Sequence, residues 1–221
     1  MAALLDGPRW GPAAGGVPRK LVVLLHGLGA DGFDLIDLAP RWGQAVPEAL
    51  FVAPHAPEPC DIAPFGRQWF SVGDRTPAQM LAGVRAAAGH LGAFLDAETA
   101  RLGLDPGDVA VMGFSQGAMT ALFTCLRRSP PPAAILAYAG RLIAPETLAA
   151  EIKGRPPVLL VHGEADEIVP ATASRDAEWQ LRGAGVPVGA VFSEGLGHGL
   201  DEAGITAGSL TLQQHLGLPA L

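Results

Sequence analysis

The sequence predicts an α/β fold with a mostly parallel central sheet and helices on both faces. Three observations carry this. Short, unbroken apolar runs such as Leu21 to Leu25 and Val158 to Val161 recur along the chain, as strands buried on both sides require. Between them lie segments whose apolar residues are three and four apart, the spacing of a helix with one buried face. The two kinds alternate, so successive strands lie side by side and parallel, with helices as the crossovers.

The elements follow in order. Residues 1–18 carry Gly, Pro and Ala without period and read as a loose lead-in. A single domain is expected over 19–221, with no internal repeat and no linker. Strands are expected at Leu21 to Leu25, Leu50 to Ala53, Val109 to Met112, Ala133 to Tyr138, Val158 to Val161 and Val188 to Phe192. Residues 54–75 are rich in Pro and Gly and lack a helical period; a loop of that length in a compact domain is usually functional. Thr76-Pro77-Ala78-Gln79 reads as a helix start with a capping box. Leu81, Val84, Ala88, Leu91 and Leu95 then mark the buried face of a helix ending near Gly103. Further helices are expected from Gln116 to Arg128 and near 145–152, 172–184 and 202–216.

Composition narrows the function. Of the residues, 49% are apolar and 17% charged, which suits a well-packed core and not a disordered chain. The formal net charge is −7 without a run of Lys or Arg. Nucleic acid and acidic membrane surfaces are therefore not expected partners. The two cysteines, Cys60 and Cys125, form no CxxC pair, so neither a zinc knuckle nor a redox motif is expected. The start of the chain lacks the basic and apolar regions of a signal peptide. No apolar run reaches the roughly 18–20 residues of a spanning helix. These features predict a cytoplasmic protein without stable membrane insertion.

Gly113-Phe114-Ser115-Gln116-Gly117 matches G-x-S-x-G where a strand gives way to a helix. In that setting the turn lifts the serine hydroxyl clear of the sheet edge, in a strained backbone that packed neighbours tolerate. The helix N-terminus adds a positive partial charge where an oxyanion would form. A nucleophilic serine needs a base, and the base needs an acid to fix its tautomer. Downstream, His162-Gly163-Glu164-Ala165-Asp166-Glu167 closes a strand and supplies three carboxylates. Spacing alone does not choose among Glu164, Asp166 and Glu167. His198, between Gly197 and Gly199 after the last strand, is the candidate base, because glycines on both sides let the backbone aim the ring into a cleft. His215 falls within the final helical pattern. His55 and His90 read as ordinary loop and helix residues, and His162 as a support for the acid loop through hydrogen bonding or packing.

The turn after the first strand, His26-Gly27-Leu28-Gly29-Ala30-Asp31-Gly32, offers free backbone N–H groups near the serine. Its residues 27–32 also spell the dinucleotide pattern G-x-G-x-x-G. An oxidoreductase would then need an acid about 20 residues on, at the end of the second strand. That strand ends in Ala53-Pro54-His55 instead, so the dinucleotide signal is weak. A non-catalytic binding protein is the other alternative, though such a protein usually lacks one of the three reacting groups.

Together, His26-Gly27-Leu28-Gly29, His55-Ala56-Pro57, Trp69-Phe70, the Ser115 motif, His162-Gly163 with Asp166 and Val169-Pro170, and Gly197-His198 resemble the phospholipase/carboxylesterase family over roughly residues 19–217. That family includes acyl-protein thioesterases and small bacterial carboxylesterases. The resemblance implies the α/β-hydrolase fold and Asp166 as the acid beside Ser115 and His198. It implies an oxyanion hole from the Leu28 and Gln116 amides, with Trp69, Phe70 and Val169 near an acyl pocket; Trp69 and Phe70 read equally as core aromatics. It implies hydrolysis of small carboxylic esters, extending to thioesters or lysophospholipids, without metal or cofactor, and leaves a homodimer open. Ala118 departs from the pattern, since many members carry a second glycine there.

Overall fold

The computed structural model describes residues 5–217; residues 1–4 of the expected lead-in and 218–221 of the expected domain lie outside them. In chain order the elements are β1 (Arg9–Trp10), β2 (Lys20–Leu25), α1 (Phe33–Ile36), α2 (Ala39–Trp42), β3 (Ala49–Val52), β4 (Glu58–Pro59) and β5 (Arg67–Gln68). There follow α3 (Pro77–Leu102), β6 (Val109–Phe114), α4 (Gln116–Leu126), β7 (Ala134–Tyr138), α5 (Pro145–Glu151), β8 (Val158–Gly163), α6 (Thr172–Gly183), β9 (Val188–Ser193) and α7 (Glu202–Leu216). Seven strands form one sheet in the order β1-β3-β2-β6-β7-β8-β9. All neighbours are parallel except β1, which runs antiparallel to β3.

Alternate side chains of each strand serve opposite faces. Leu21, Val23 and Leu25 pack with Val84, Leu91 and Leu122 under α3 and α4. Val22 and Leu24 pack with Trp42, Tyr138 and Leu212 under α2 and α7. The strand order reverses between β2 and β6, so the chain leaves their carboxyl ends in opposite directions. A crevice opens at such a point, and Leu25 of β2 lies in register with Gly113 of β6 there. Among the described residues no helix is long and apolar enough to cross a membrane.

Three local features differ from the sequence expectation. The lead-in is not loose at Arg9–Trp10: Arg9 donates to both Glu98 carboxylate oxygens at 2.8 Å, and Trp10 packs edge-on against Phe51. Burial pushes the Glu98 carboxyl up, but hydrogen bonds from Arg9 and Arg101 outweigh it and hold the group down at about 2. Segment 54–75 contains the antiparallel pair β4–β5. Thr76 does precede α3, yet its side chain makes no cap hydrogen bond; its own amide donates instead to Asp74 Oδ1 at 2.8 Å.

Candidate active site

Ser115 lies between β6 and α4 with φ of +53° and ψ of −115°, a region that non-glycine residues rarely enter. Main-chain contacts hold it there. Its amide donates to the Tyr138 carbonyl at 2.8 Å, and its carbonyl accepts from Met119 at 3.1 Å. A Cβ on Gly113 would come 2.3 Å from the Gly117 carbonyl oxygen, and one on Gly117 only 2.0 Å from that of Leu25. Helix α4 therefore approaches β2 and β6 to a distance that only glycine permits at these two positions. The Ala118 methyl is accommodated by a glycine opposite it, because a Cβ at residue 140 would lie 2.6 Å from it.

The loops after β8 and β9 bring the other two groups to the serine. His198 Nε2 lies 3.0 Å from Ser115 Oγ, and His198 Nδ1 lies 2.6 Å from Asp166 Oδ2. Asp166 Oδ1 accepts from the amides of Ile168 and Val169 at 2.8 and 2.9 Å. Burial opposes ionisation of this carboxyl, but the hydrogen bond from His198 and those from the Val169 and Ile168 amides prevail. They hold its pKa below the ordinary carboxylate value. Glu164 and Glu167 are exposed, and Glu164 pairs with Arg175. The His198 ring rests on Phe114, with ring centroids 4.9 Å apart. The glycines flanking His198 are not demanded by the backbone: neither has a positive φ, and a Cβ on either would meet no close neighbour.

Across the crevice, the turn after β2 lies against Ser115. A Cβ on Gly27 would be 3.4 Å from the Ser115 Cβ. Among the described residues no acceptor is found for the amide hydrogen of Leu28 or Gln116. The turn leads only into the four-residue α1, whereas a dinucleotide's pyrophosphate sits at the N-terminus of the βαβ helix that follows its glycine-rich turn.

Trp69, Phe70 and Val169 differ from the expected pocket lining. Trp69 and Phe70 are 1% and 2% exposed within the core, and the Trp69 indole N–H donates to the His26 carbonyl at 2.9 Å. Val169 is also buried and touches the site through its backbone. The Trp69 and Phe70 side chains serve packing, because the segment that carries them is drawn inward by polar side chains to which the sequence reading gave no such role. The Gln116 side chain accepts from the Trp69 amide at 2.8 Å and donates to the Phe70 carbonyl at 2.7 Å. His26 accepts from the Ala56 amide through Nε2 at 3.0 Å and faces the Gly27 carbonyl through Nδ1 at 2.7 Å. Burial lowers the His26 pKa, which keeps this tautomer neutral. Arg67 donates to the Ala56 and Pro57 carbonyls. One signal was present for Gln116: it is a long polar side chain opening a helix that is otherwise almost wholly apolar.

The chain matches the Phospholipase/Carboxylesterase family over residues 13–216. It belongs to that family. Esterase YpfH of Escherichia coli (strain K12) is 30% identical over 189 residues, covering 83% of this chain and 77% of the relative. A probable inactive carboxylesterase of Oryza sativa subsp. japonica is 30% identical over 209 residues, covering 86% and 82%. Acyl-protein thioesterase 1 of Gibberella zeae is 27% identical, covering 80% and 82%. Among solved structures, esterase PE8 is 42% identical with a TM-score of 0.92, covering 97% of this chain and 100% of the other. Arabidopsis thaliana SOBER1, at 23% identity and a TM-score of 0.78, shares the fold. This Phospholipase/Carboxylesterase member is thus a hydrolase of the esterase and thioesterase type. Among its described residues, no group of three or more His, Cys, Asp or Glu side chains is placed to hold a metal ion.

Proposed function

We propose that the protein hydrolyses carboxylic esters or thioesters through an acyl-enzyme, with Ser115 as nucleophile, His198 as base and Asp166 as the acid behind it. One observation carries the reading: His198 bridges Ser115 Oγ at 3.0 Å and Asp166 Oδ2 at 2.6 Å through its two ring nitrogens. The Nδ1–H given to Asp166 leaves the Nε2 lone pair facing the serine hydroxyl. His198 takes the hydroxyl proton as Ser115 Oγ bonds to the acyl carbon, and the carbonyl electrons move onto oxygen. The Leu28 and Gln116 amides stabilise that oxyanion; one such donor is worth about 10²–10³ in turnover. Collapse expels the alkoxide or thiolate, which receives the proton from His198. Water then repeats the cycle and releases the acid.

The names of the Escherichia coli esterase and the fungal thioesterase motivate the two ester classes. Two buried, unbridged cysteines suit a reducing, cytoplasmic setting. The rice relative is named probable inactive, so family membership alone does not establish turnover. The joined hydrogen bonds of Ser115, His198 and Asp166 are what favour activity here. Ser115→Ala should lower p-nitrophenyl acetate hydrolysis by at least about 10⁴-fold while the circular dichroism spectrum stays unchanged. A fluorophosphonate probe should label Ser115. Hydrolysis at the wild-type rate in Ser115→Ala would overturn the reading.

A further inference from the structure

We infer that His162 is a positioning residue for the triad: a second histidine that shares the Asp166 carboxylate with His198 and, with Ser174 behind it, sets how strongly that carboxylate holds the His198 ring. The inference deepens the proposed function and rests on it.

His162 closes β8 four residues before Asp166, with its side chain and that of Asp166 fully buried. Its Nε2 lies 2.8 Å from the Val169 carbonyl oxygen and 3.1 Å from Asp166 Oδ2. Both neighbours are acceptors, so Nε2 carries the hydrogen. Its Nδ1 lies 2.6 Å from Ser174 Oγ on α6. The other acceptor near that hydroxyl, the Gly140 carbonyl, is 3.4 Å away. The serine hydrogen therefore points at Nδ1, and Ser174 fixes the tautomer that puts the hydrogen on Nε2, where the Val169 carbonyl and Asp166 Oδ2 share it.

Asp166 then has four donors around it, two on each oxygen, the His162 hydrogen being shared with the Val169 carbonyl. Oδ1 takes the Ile168 and Val169 amides, and Oδ2 takes His198 and His162. The carboxylate cannot turn about its last torsion without breaking bonds on both sides. The titratable groups within hydrogen-bond reach of it are His198 from the β9–α7 loop and His162 from β8; Ser174 supplies the polar contact from α6. The Glu164–Arg175 pair on the neighbouring stretch is at the surface. A donor from His162 stabilises the negative charge on Oδ2 and leaves less of it to stabilise an imidazolium at residue 198. Removing that donor should make His198 easier to protonate and free the carboxylate to swing.

The test is the pH dependence of kcat/KM for p-nitrophenyl acetate in wild type, His162→Asn, His162→Gln and Ser174→Ala, with melting temperature measured on each. Asn places its amide near the Nδ1 position and loses the donor to Asp166; Gln places its amide nitrogen near Nε2 and keeps it. His162→Asn should move the acid limb up by roughly half to one pH unit and lower kcat about tenfold. Ser174→Ala should move it the same way by less, and His162→Gln should restore the wild-type limb. An unmoved limb in both His162→Asn and Ser174→Ala, or an equal shift in His162→Gln, overturns the inference. If His162→Asn does not fold, Ser174→Ala against wild type decides. Full activity in Ser115→Ala would instead strike the underlying triad and not this residue.

Discussion

Around Ser115 the backbone is held by main-chain atoms in contact; across residues 54–75 it is held by single polar side chains, Gln116 and His26 reaching in from elsewhere and Arg67 from within. At the elbow, Gly113 and Gly117 let strand and helix approach so closely that Ser115 has one place to be. The opposite wall depends on single polar groups. Gln116 holds Trp69 and Phe70, His26 holds Ala56, and Arg67 holds Ala56 and Pro57. Ser115 is thus positioned by packing that has no adjustable part. The turn carrying the Leu28 amide is positioned by a hydrogen-bond network whose members can be removed one at a time.

In thermal stability the largest effect should come from the elbow. Gly117→Ala drives a Cβ to 2.0 Å from the Leu25 carbonyl oxygen. Both atoms belong to central elements of the sheet and helix, so neither can retreat. A cost of at least about 3 kcal/mol is expected, a fall in Tm on the order of 6–12 °C. Hydrolysis should fall about 10²-fold or more as Ser115 moves off its line to His198. A Tm within about 2 °C of wild type, roughly half a kcal/mol, would mean the elbow is softer than its contacts imply.

The same contrast separates what could be read in the chain from what could not. β2, β6, β8 and the elbow were legible because apolar runs and a glycine pattern are local signals. The His162-to-Glu167 stretch was legible as the place of the acid, but three carboxylates occupy it and only resemblance singled out Asp166. β1 was not legible, because two residues, Arg9 paired with Glu98 on α3 and Trp10 packed on Phe51, leave no periodic trace. The inward pull on Trp69 and Phe70 was not legible either: it comes from one glutamine amide 46 and 47 residues away.

Gln116→Leu should be the intermediate case. The substitution nearly conserves volume but leaves the buried Trp69 amide and Phe70 carbonyl without partners, at about 1–3 kcal/mol each. The Gln116 backbone amide remains, so the oxyanion donor at that position is retained. We expect a Tm loss smaller than or comparable to that of Gly117→Ala. Turnover should fall about tenfold, through displacement of the wall and not of the serine. Fluorophosphonate labelling of Ser115 should therefore stay close to wild type, whereas in Gly117→Ala it should be slowed together with turnover.

Gly66→Ala should have the smallest effect on stability, and it separates the two regions most cleanly. A Cβ at Gly66 would come 1.9 Å from the Gly29 carbonyl oxygen, with a φ of +78° that disfavours any side chain. The collision is as severe as at Gly117. Yet Gly66 ends the tip of the β4–β5 hairpin, where Asp61, Ile62, Pro64 and Phe65 are exposed, so the tip can swing outward with little loss of core. Its departure pulls on Arg67, whose carbonyl accepts from the Gly29 amide at 2.9 Å, and Gly29 follows Leu28 directly. The expected result is a Tm change below about 4 °C, near 1 kcal/mol. Hydrolysis should fall roughly tenfold, borne by kcat because the Leu28 donor acts on the transition-state oxyanion. If Gly66→Ala unfolds the protein as readily as Gly117→Ala, the hairpin is part of the rigid frame and the distinction between the two walls fails. If both Tm and kcat are unchanged, the Leu28 turn holds its place without the hairpin, through the His26 hydrogen bonds and the approach of Gly27 to Ser115.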